Sequence, residues 1–568
     1  MLTSGATQVR TRFGAAYSTS PGRKPTWRVL VVCVQRFSAP AAGHLGLAAD
    51  TPTSMARLLA LPDDVLLSAM STWEALILAR LAITCSKLRL MLEAAVEQRA
   101  KLLNVRLPPL HEGESLAHAL RFAELIAASG HYWLAAGYWH SLRADRNSVF
   151  AWGGIAKDDY QAPNVSHIGH VSADVAWHSE REHFEQPNIL APARVTLQRC
   201  FTVGIFKELS TSVRGVAAGP KCSILVDADG AIWYWGLVNG LYMPASTSTE
   251  VTFGRSWRHC RPQQWPCSGR ADFKVVQASC GLLHLLLLLD DGRVFSSGDG
   301  NFGRLGHGDE LRQAAPHVVN ALSAQRMCRI SAGTADSMAV SEHGELFTWG
   351  CGTHGKLGLA TQERRSPSLP CRVDAFAGAA RISLISSGGG HAVALDHQGQ
   401  LYAWGCGAFG ELGLGRIHSG EYPNHKIKSE LLSWPGLAAM RPQNWPPGAD
   451  APPLRCVDVP QLVASPRGGP ILQAAAGHHH TMLVAADGCV YTCGRGLGGR
   501  LGTGSEENVY SPRALPSFGE AVIEVAAGKR HSLVRTRTGR VFAFGSGSEG
   551  QLGQGDERPS SCLPLLIV

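Results

Sequence analysis

The feature that most constrains this chain is a ruler that recurs along it. In the C-terminal copy a Gly-x-x-His element, Gly528 to His531, is followed by Thr538-Gly539, by Val541-Phe542-Ala543-Phe544-Gly545, and then by Gly550-Gln551-Leu552-Gly553. The leading glycine recurs at Gly137, Gly219, Gly281, Gly333, Gly388 and Gly477, so there are seven copies. The histidine position holds His140, Cys222, His284, Asp336, His391, His480 and His531; the glycine that ends the next apolar strand follows after 14 residues in six copies and after 13 in the first. Units repeating at roughly 50-residue spacing must stack on one another, because none can bury its apolar face alone.

Between those two marks lies x-Gly: Asp229-Gly230, Asp291-Gly292, His343-Gly344, Gln398-Gly399, Asp487-Gly488 and Thr538-Gly539. A two-residue turn ending in glycine between apolar runs predicts an antiparallel hairpin, since a tight turn needs positive φ. The strand after it is aromatic-rich, as in Leu401-Tyr402-Ala403-Trp404 and Val149-Phe150-Ala151-Trp152, which suits a packed sheet. Gly-x-Leu-Gly then recurs at 303–306, 355–358, 410–413, 499–502 and 550–553, two glycines letting the chain turn sharply around one anchoring leucine. Four short strands per unit, stacked radially, give a closed ring. The expected fold is all-β, a seven-bladed β-propeller over residues 131–568. Closure is expected through a clasp, in which the strand at 137–142 completes the last blade.

The pattern Gly-x-x-His-Ser…Gly-x-Val-Phe-x-Trp-Gly…Gly-Gln-Leu-Gly resembles the repeat of the regulator of chromosome condensation family, whose members are seven-bladed propellers. The resemblance runs from about residue 130 to 568. It is sharpest in copies three to seven, since the first two lack Gly-x-Leu-Gly. It implies either a protein-binding propeller, or a guanine-nucleotide exchange factor or chromatin-associated regulator for a Ran-like small GTPase, or a plain scaffold. Exchange factors of the family insert a wedge from one blade, and no residue here matches it.

Ahead of the repeats, Leu61-Pro62-Asp63-Asp64-Val65-Leu66 opens a helix, with proline at a first helical position and acids in the first turn. Leu78, Leu81 and Cys85 continue at helical spacing. The string resembles an F-box over residues 56–104, departing from it where Leu88 stands in a neighbourhood that often holds an aromatic. The resemblance implies docking of Leu61, Pro62, Val65, Leu66, Leu78, Leu81 and Cys85 on a Skp-type adaptor, and through it a cullin ubiquitin ligase. Residues 105–130 read as a linker and a helix leading into the first blade.

Residues 1–55 form a leader. Its first 49 residues have no acid and carry Arg10, Arg12, Arg23, Lys24, Arg28 and Arg36, six of the formal net charge of +8. The rest of the chain is close to neutral, so a nucleic-acid footprint is not expected outside the leader. The leader reads as disordered or as a targeting segment. No apolar run reaches the length of a membrane span. The 15 cysteines include no Cys-x-x-Cys pair, which argues against zinc sites and places the chain in a reducing compartment, cytoplasmic or nuclear, with an organelle as the leader's alternative.

Catalysis finds little support. A histidine that recurs blade by blade, with Cys and Asp as stand-ins, points to a structural hydrogen bond within each blade. His478-His479-His480 could suggest a metal, but successive strand residues point to opposite faces. No phosphate-cradling loop, catalytic HECT region or cofactor motif is expected. The long excursions at 154–212, 237–272 and 416–470 follow equivalent strands and should share one face. They carry Trp257, Trp265, Trp434, Trp445 and Arg258, residue types enriched at binding hot spots. The function expected is a non-catalytic ubiquitin-ligase adaptor whose propeller captures a protein substrate.

Overall fold

The computed structural model describes residues 66, 67, 70, 86–103, 107, 119, 120, 122, 133–145, 148–153, 189–194, 212–220, 222–236, 263–265, 272–360, 366–377, 380–415, 456–467, 469–555 and 560–567. The leader lies outside them, as do Leu61, Pro62, Val65, Leu78, Leu81 and Cys85. The chain forms two compact units, Met1–Arg121 and Phe122–Val568.

In the first unit the helix Ser86–Leu103 buries Ala95, Val96 and Ala100 and exposes Glu93, Glu97 and Lys101. That is an amphipathic stripe at helical spacing. Leu66 and Met70, also helical, are fully buried. No described helix is long and apolar enough to cross a membrane.

The second unit is seven four-stranded antiparallel sheets. The blades span 134–194, 213–264, 275–318, 327–372, 382–463, 471–514 and 522–567. The sequence ruler has a simple cause. The histidine-position residue and the glycine ending the third strand are register partners across the hairpin: His531 with Gly545, His391 with Gly405, Cys222 with Gly236. The hairpin itself is one residue longer than expected. Asp396 N donates to Gln400 O and Gly399 N to Asp396 O, which leaves a three-residue loop with its glycine at φ 76°, the form that carries a bulge after the turn. In the first blade Asp145 pairs directly with Ser148, so the loop is shorter and the ruler reads 13.

Second strands are buried along most of their length, and wholly so in His284–Leu289 and His391–Asp396, because each lies between two neighbouring blades. This is why Leu285 to Leu289 can be an unbroken apolar run. Fourth strands are mostly half-buried or exposed, as in Gln313–Val318, because they face solvent. Trp152, Trp235, Trp349 and Trp404 are fully buried in the walls between blades. Truncating such a residue typically costs about 3–5 kcal/mol, whereas a buried hydrogen bond contributes about 1 kcal/mol net. Apolar packing therefore supplies the stability, and the polar links described below fix the geometry.

The expected clasp is not formed. The strand His140–Asp145 pairs within its own blade, and Ser560–Ile567 supplies the fourth strand of the last one. Each blade is thus continuous in sequence, and the ends of the propeller meet in adjacent sheets. The seam is held by Glu524, whose Oε1 accepts the N–H groups of Trp133 (2.8 Å) and Leu134 (3.0 Å).

Candidate functional site

The Gly-x-x-His elements are tight turns between first and second strands, each closed by a bond from the glycine N–H to the carbonyl of the residue three ahead, 2.9 Å at Gly137 and 3.0 Å at Gly528. Glycine is required here by close approach. A Cβ at Gly528 would stand 2.6 Å from Gly137 O and 2.7 Å from the His531 ring, and one at Gly477 would stand 2.7 Å from Gly528 O. Consecutive turns are joined directly, through Gly389 N to Gly477 O (3.1 Å), His478 N to Gly528 O (3.1 Å) and Lys529 N to Gly137 O (3.3 Å). The seven glycines thus form the throat of the ring at one face.

The histidines do not bond within their own blades, as the sequence suggested, but to the next blade. Nε2 lies 2.9 Å from a hydroxyl in each pair: His140 to Ser223, His284 to Ser337, His391 to Thr481, His480 to Ser532, and His531 to Ser141 across the seam. Four of those hydroxyls donate onward to a carbonyl of a Gly-x-Leu-Gly turn, Ser532 to Arg500 (2.7 Å), Ser337 to Arg304 (2.8 Å), Thr481 to Glu411 (2.6 Å) and Ser141 to Gln551 (3.1 Å). The indole N–H of Trp152, Trp349 and Trp404 donates to carbonyls of the same turns, at Gln551, Arg304 and Lys356. A carbonyl can only accept, so the hydroxyl donates to it and the histidine donates to the hydroxyl. These fully buried pairs are joints between blades, not serine nucleophiles. Burial holds His391 down at about 4 and His531 at about 3, so both are neutral.

Two joints depart together with the sequence. Where Cys222 replaces histidine, Leu285 replaces the hydroxyl residue, and the thiol lies beside that of Cys280 instead. Where Asp336 replaces it, the carboxylate accepts from Ser387 Oγ (2.5 Å) and pairs with Lys356 Nζ (2.6 Å).

The residues between glycine and histidine line the mouth. Tyr138 of the first blade packs edge-on against His478 of the sixth, 5.7 Å between centroids, and its hydroxyl comes near Thr334 of the fourth. It therefore crosses the throat, and desolvation pushes its hydroxyl up to about 12. Lys529 Nζ lies 4.8 Å from the Tyr138 ring and 4.4 Å from the Trp139 ring, with Arg530 5.8 Å from Trp139. Beside them Arg495 stacks 4.9 Å over Phe409, whose ring meets His479. Arg500 is 3% exposed and donates to Lys529 O. Burial, with Arg495 and Arg530 nearby, pulls it down to about 9. Glu411 is the buried acid in this group; burial raises its carboxyl, and it accepts from Phe409 N (2.8 Å). The His479 ring beside it, at 3.5 Å, is held well below its usual value by burial, so it adds no charge. The mouth is aromatic and cationic. Among the described residues no group of three or more His, Cys, Asp or Glu could hold a metal ion.

Of the loop residues expected to bind, Trp257, Arg258, Trp434 and Trp445 lie outside the described residues. Trp265 is described and is 5% exposed, edge-on to Tyr234 at 5.6 Å. It packs the wall of the second blade and is not a surface anchor. Tyr138, Trp139, Lys529 and Arg530 went unnoticed in the sequence because they sit inside a motif whose fixed residues are structural. The signal was the variable pair within Gly-x-x-His.

The Regulator of chromosome condensation (RCC1) repeat is matched at residues 291–340, 343–395, 398–431, 487–535 and 538–567, and a second form of it at 275–304, 382–411 and 522–551. The ultraviolet-B receptor UVR8 of Arabidopsis thaliana is 31% identical over 354 residues, which is 62% of this chain and 69% of the receptor. The human E3 ubiquitin-protein ligase HERC2 is 28% identical over 60% of this chain, a stretch that is 6% of the ligase. Among solved structures, Prp20p of Saccharomyces cerevisiae, described together with its binding to Gsp1p and histones, superposes with a TM-score of 0.55 at 20% identity, over 75% of this chain and 87% of that one. A likeness at that identity shows the fold. With seven four-stranded blades, the repeated glycine turns and a relative of this identity and coverage, the chain belongs to the regulator of chromosome condensation (RCC1) repeat family.

Proposed function

We propose that this chain is a non-catalytic recognition protein whose propeller captures a protein partner at the mouth of the glycine turns. The observation that carries this reading is the gathering of Lys529 on the Tyr138 and Trp139 rings and of Arg530 on Trp139, with Arg495 close enough to Arg530 to feel its charge. Burial lowers Arg495 and Arg500, so an approaching carboxylate is favoured over a neutral group, and an acidic protein segment is the partner chemistry that fits. The histidines, the residues most suggestive of chemistry, are committed to the joints.

The first unit gives this recognition a destination. The Leu61-Pro62-Asp63-Asp64-Val65 string and the amphipathic helix behind it support its acting as an F-box, handing the captured protein to a cullin ligase through a Skp-type adaptor. Positioning then does the work, by raising the effective concentration of substrate lysines near the conjugating enzyme.

The test is affinity capture with the full chain and two variants. Trp139→Ala/Arg530→Glu is expected to lose an acidic partner and keep Skp and cullin peptides, and Leu61→Ala/Pro62→Ala to do the reverse. Absence of Skp and cullin peptides from the wild-type bait overturns the adaptor reading. Accelerated nucleotide release from a Ran-like GTPase would replace it with the exchange reading.

A further inference from the structure

In the fifth blade the third strand ends at Cys406 and the fourth begins at Cys456, and the two are register partners. Directly opposed residues of an antiparallel pair have Cα atoms about 4.5 or 5.5 Å apart, according to the type of pair. Both values fall within the roughly 4.4–6.8 Å that a disulfide spans. Both residues are thiols here, neighbours across the strand pair. His354 of the fourth blade places Nδ1 3.7 Å from Cys456 Sγ.

His354 is itself unusual. It is 5% exposed and sits at φ 64°, at a turn position taken by Phe302 (φ 62°) in the third blade and by Gly498 (φ 73°) in the sixth, and among these it is the one that carries a base. An L-residue there costs on the order of 1 kcal/mol. A costly conformation thus holds an imidazole against a half-buried thiol whose cross-strand neighbour is a second thiol.

We propose that Cys456 and Cys406 form a thiol–disulfide site served by His354, with glutathione disulfide as oxidant. His354 Nδ1 takes the Cys456 proton, and the thiolate attacks one sulfur of glutathione disulfide. The bond between the two glutathione sulfurs breaks; one glutathione leaves and collects the proton. Cys406 then attacks Cys456 Sγ, forming the protein disulfide and expelling the second glutathione as a thiolate, which takes up the Cys406 proton. Two protein thiols are oxidised and one glutathione disulfide is reduced to two glutathiones. The neighbouring Cys456 thiol and burial push the Cys406 thiol well up, so Cys456 and not Cys406 makes the first attack. The link would join the strand ends on either side of residues 407–455, a stretch that includes Phe409 and Glu411. Its bearing on the mouth rests on the recognition reading above; the chemistry does not.

The test is incubation of the full chain with glutathione disulfide, alkylation of remaining thiols, digestion and mass spectrometry. A Cys406–Cys456 linked peptide, reversed by dithiothreitol, is expected. His354→Asn retains a residue that tolerates positive φ and removes the base; it should form the same link roughly tenfold more slowly or worse. Cys456→Ser should form none and leave Cys406 alkylated. A wild-type chain in which Cys562 carries glutathione while Cys456 remains alkylated, or halts as a mixed disulfide, overturns the site. A wild-type rate in His354→Asn removes the histidine from it.

Discussion

At the scale of single residues, the seam between the last and first blades holds the most instructive choice. Gln473 Oε1 accepts Val525 N (2.8 Å) and Gln277 Oε1 accepts Ile330 N (3.1 Å), each reaching from a first strand to the first strand of the next blade. Glu524 does the same at the seam, with Arg535 Nη1 3.6 Å from its second oxygen. That pairing does not offset desolvation, and burial raises the carboxyl to about 7. A carboxyl raised on folding contributes stability that is present below its unfolded pKa and lost as pH rises through about 7. Glu524→Gln keeps the acceptor and removes the charge. It should leave the melting temperature near wild type at pH 5 and raise stability by on the order of 2 kcal/mol at pH 8. A melting series across that range checks it; a loss at pH 8 would mean that the Arg535 pairing dominates.

At the scale of the element, the unit of construction is the joint rather than the blade. The histidine of one blade, the hydroxyl of the next and the carbonyl of the Gly-x-Leu-Gly turn behave as one device. Removing one partner strands a buried polar group, whereas removing both for apolar groups of similar shape is nearly neutral. The chain itself carries that experiment, since Cys222 and Leu285 occur together. At the joint of His391 and Thr481, the variants His391→Leu and Thr481→Val should each destabilise, and the double variant should cost about 1 kcal/mol less than their sum. Urea denaturation of the four proteins measures the coupling. Strict additivity would show that the bond contributes nothing beyond its separate halves.

For the whole molecule, these joints couple ring integrity to acid. His391 and His531 are depressed to about 4 and 3, and His284, His478, His479 and His480 are all held well below their usual value, in every case chiefly by burial. A histidine depressed on folding is neutral in the native state and gains a proton on unfolding. The unfolded chain therefore binds more protons below about pH 6.5, and stability falls with pH from there to about 4. Each such histidine accounts for about 2 kcal/mol by pH 5. Glu411 and Glu524, raised by burial, act in the opposite sense but are fewer. Calorimetry should show a clear drop in melting temperature from pH 7 to pH 5, shallower in His531→Gln; a flat profile would mean that these rings are hydrated.

Much of this architecture was legible because it is local. The spacing of 14 from His391 to Gly405 is the arc of one hairpin, and x-Gly marks its turn, so seven units and their stacking follow from the chain alone. Residues that meet only through the ring were not legible. His531 finds Ser141, Glu524 finds Leu134, and Tyr138 finds His478 across several hundred residues, where no local spacing can register the match. For the same reason the seam could be mistaken for a clasp, Trp265 for a surface anchor, and the histidine bond for one within its blade. The sequence by itself determined what each blade is, since hairpin geometry is settled by neighbours along the chain. Only the tertiary structure decided how the blades join, what fills the throat and which thiols face each other, because those contacts exist once the ring has closed.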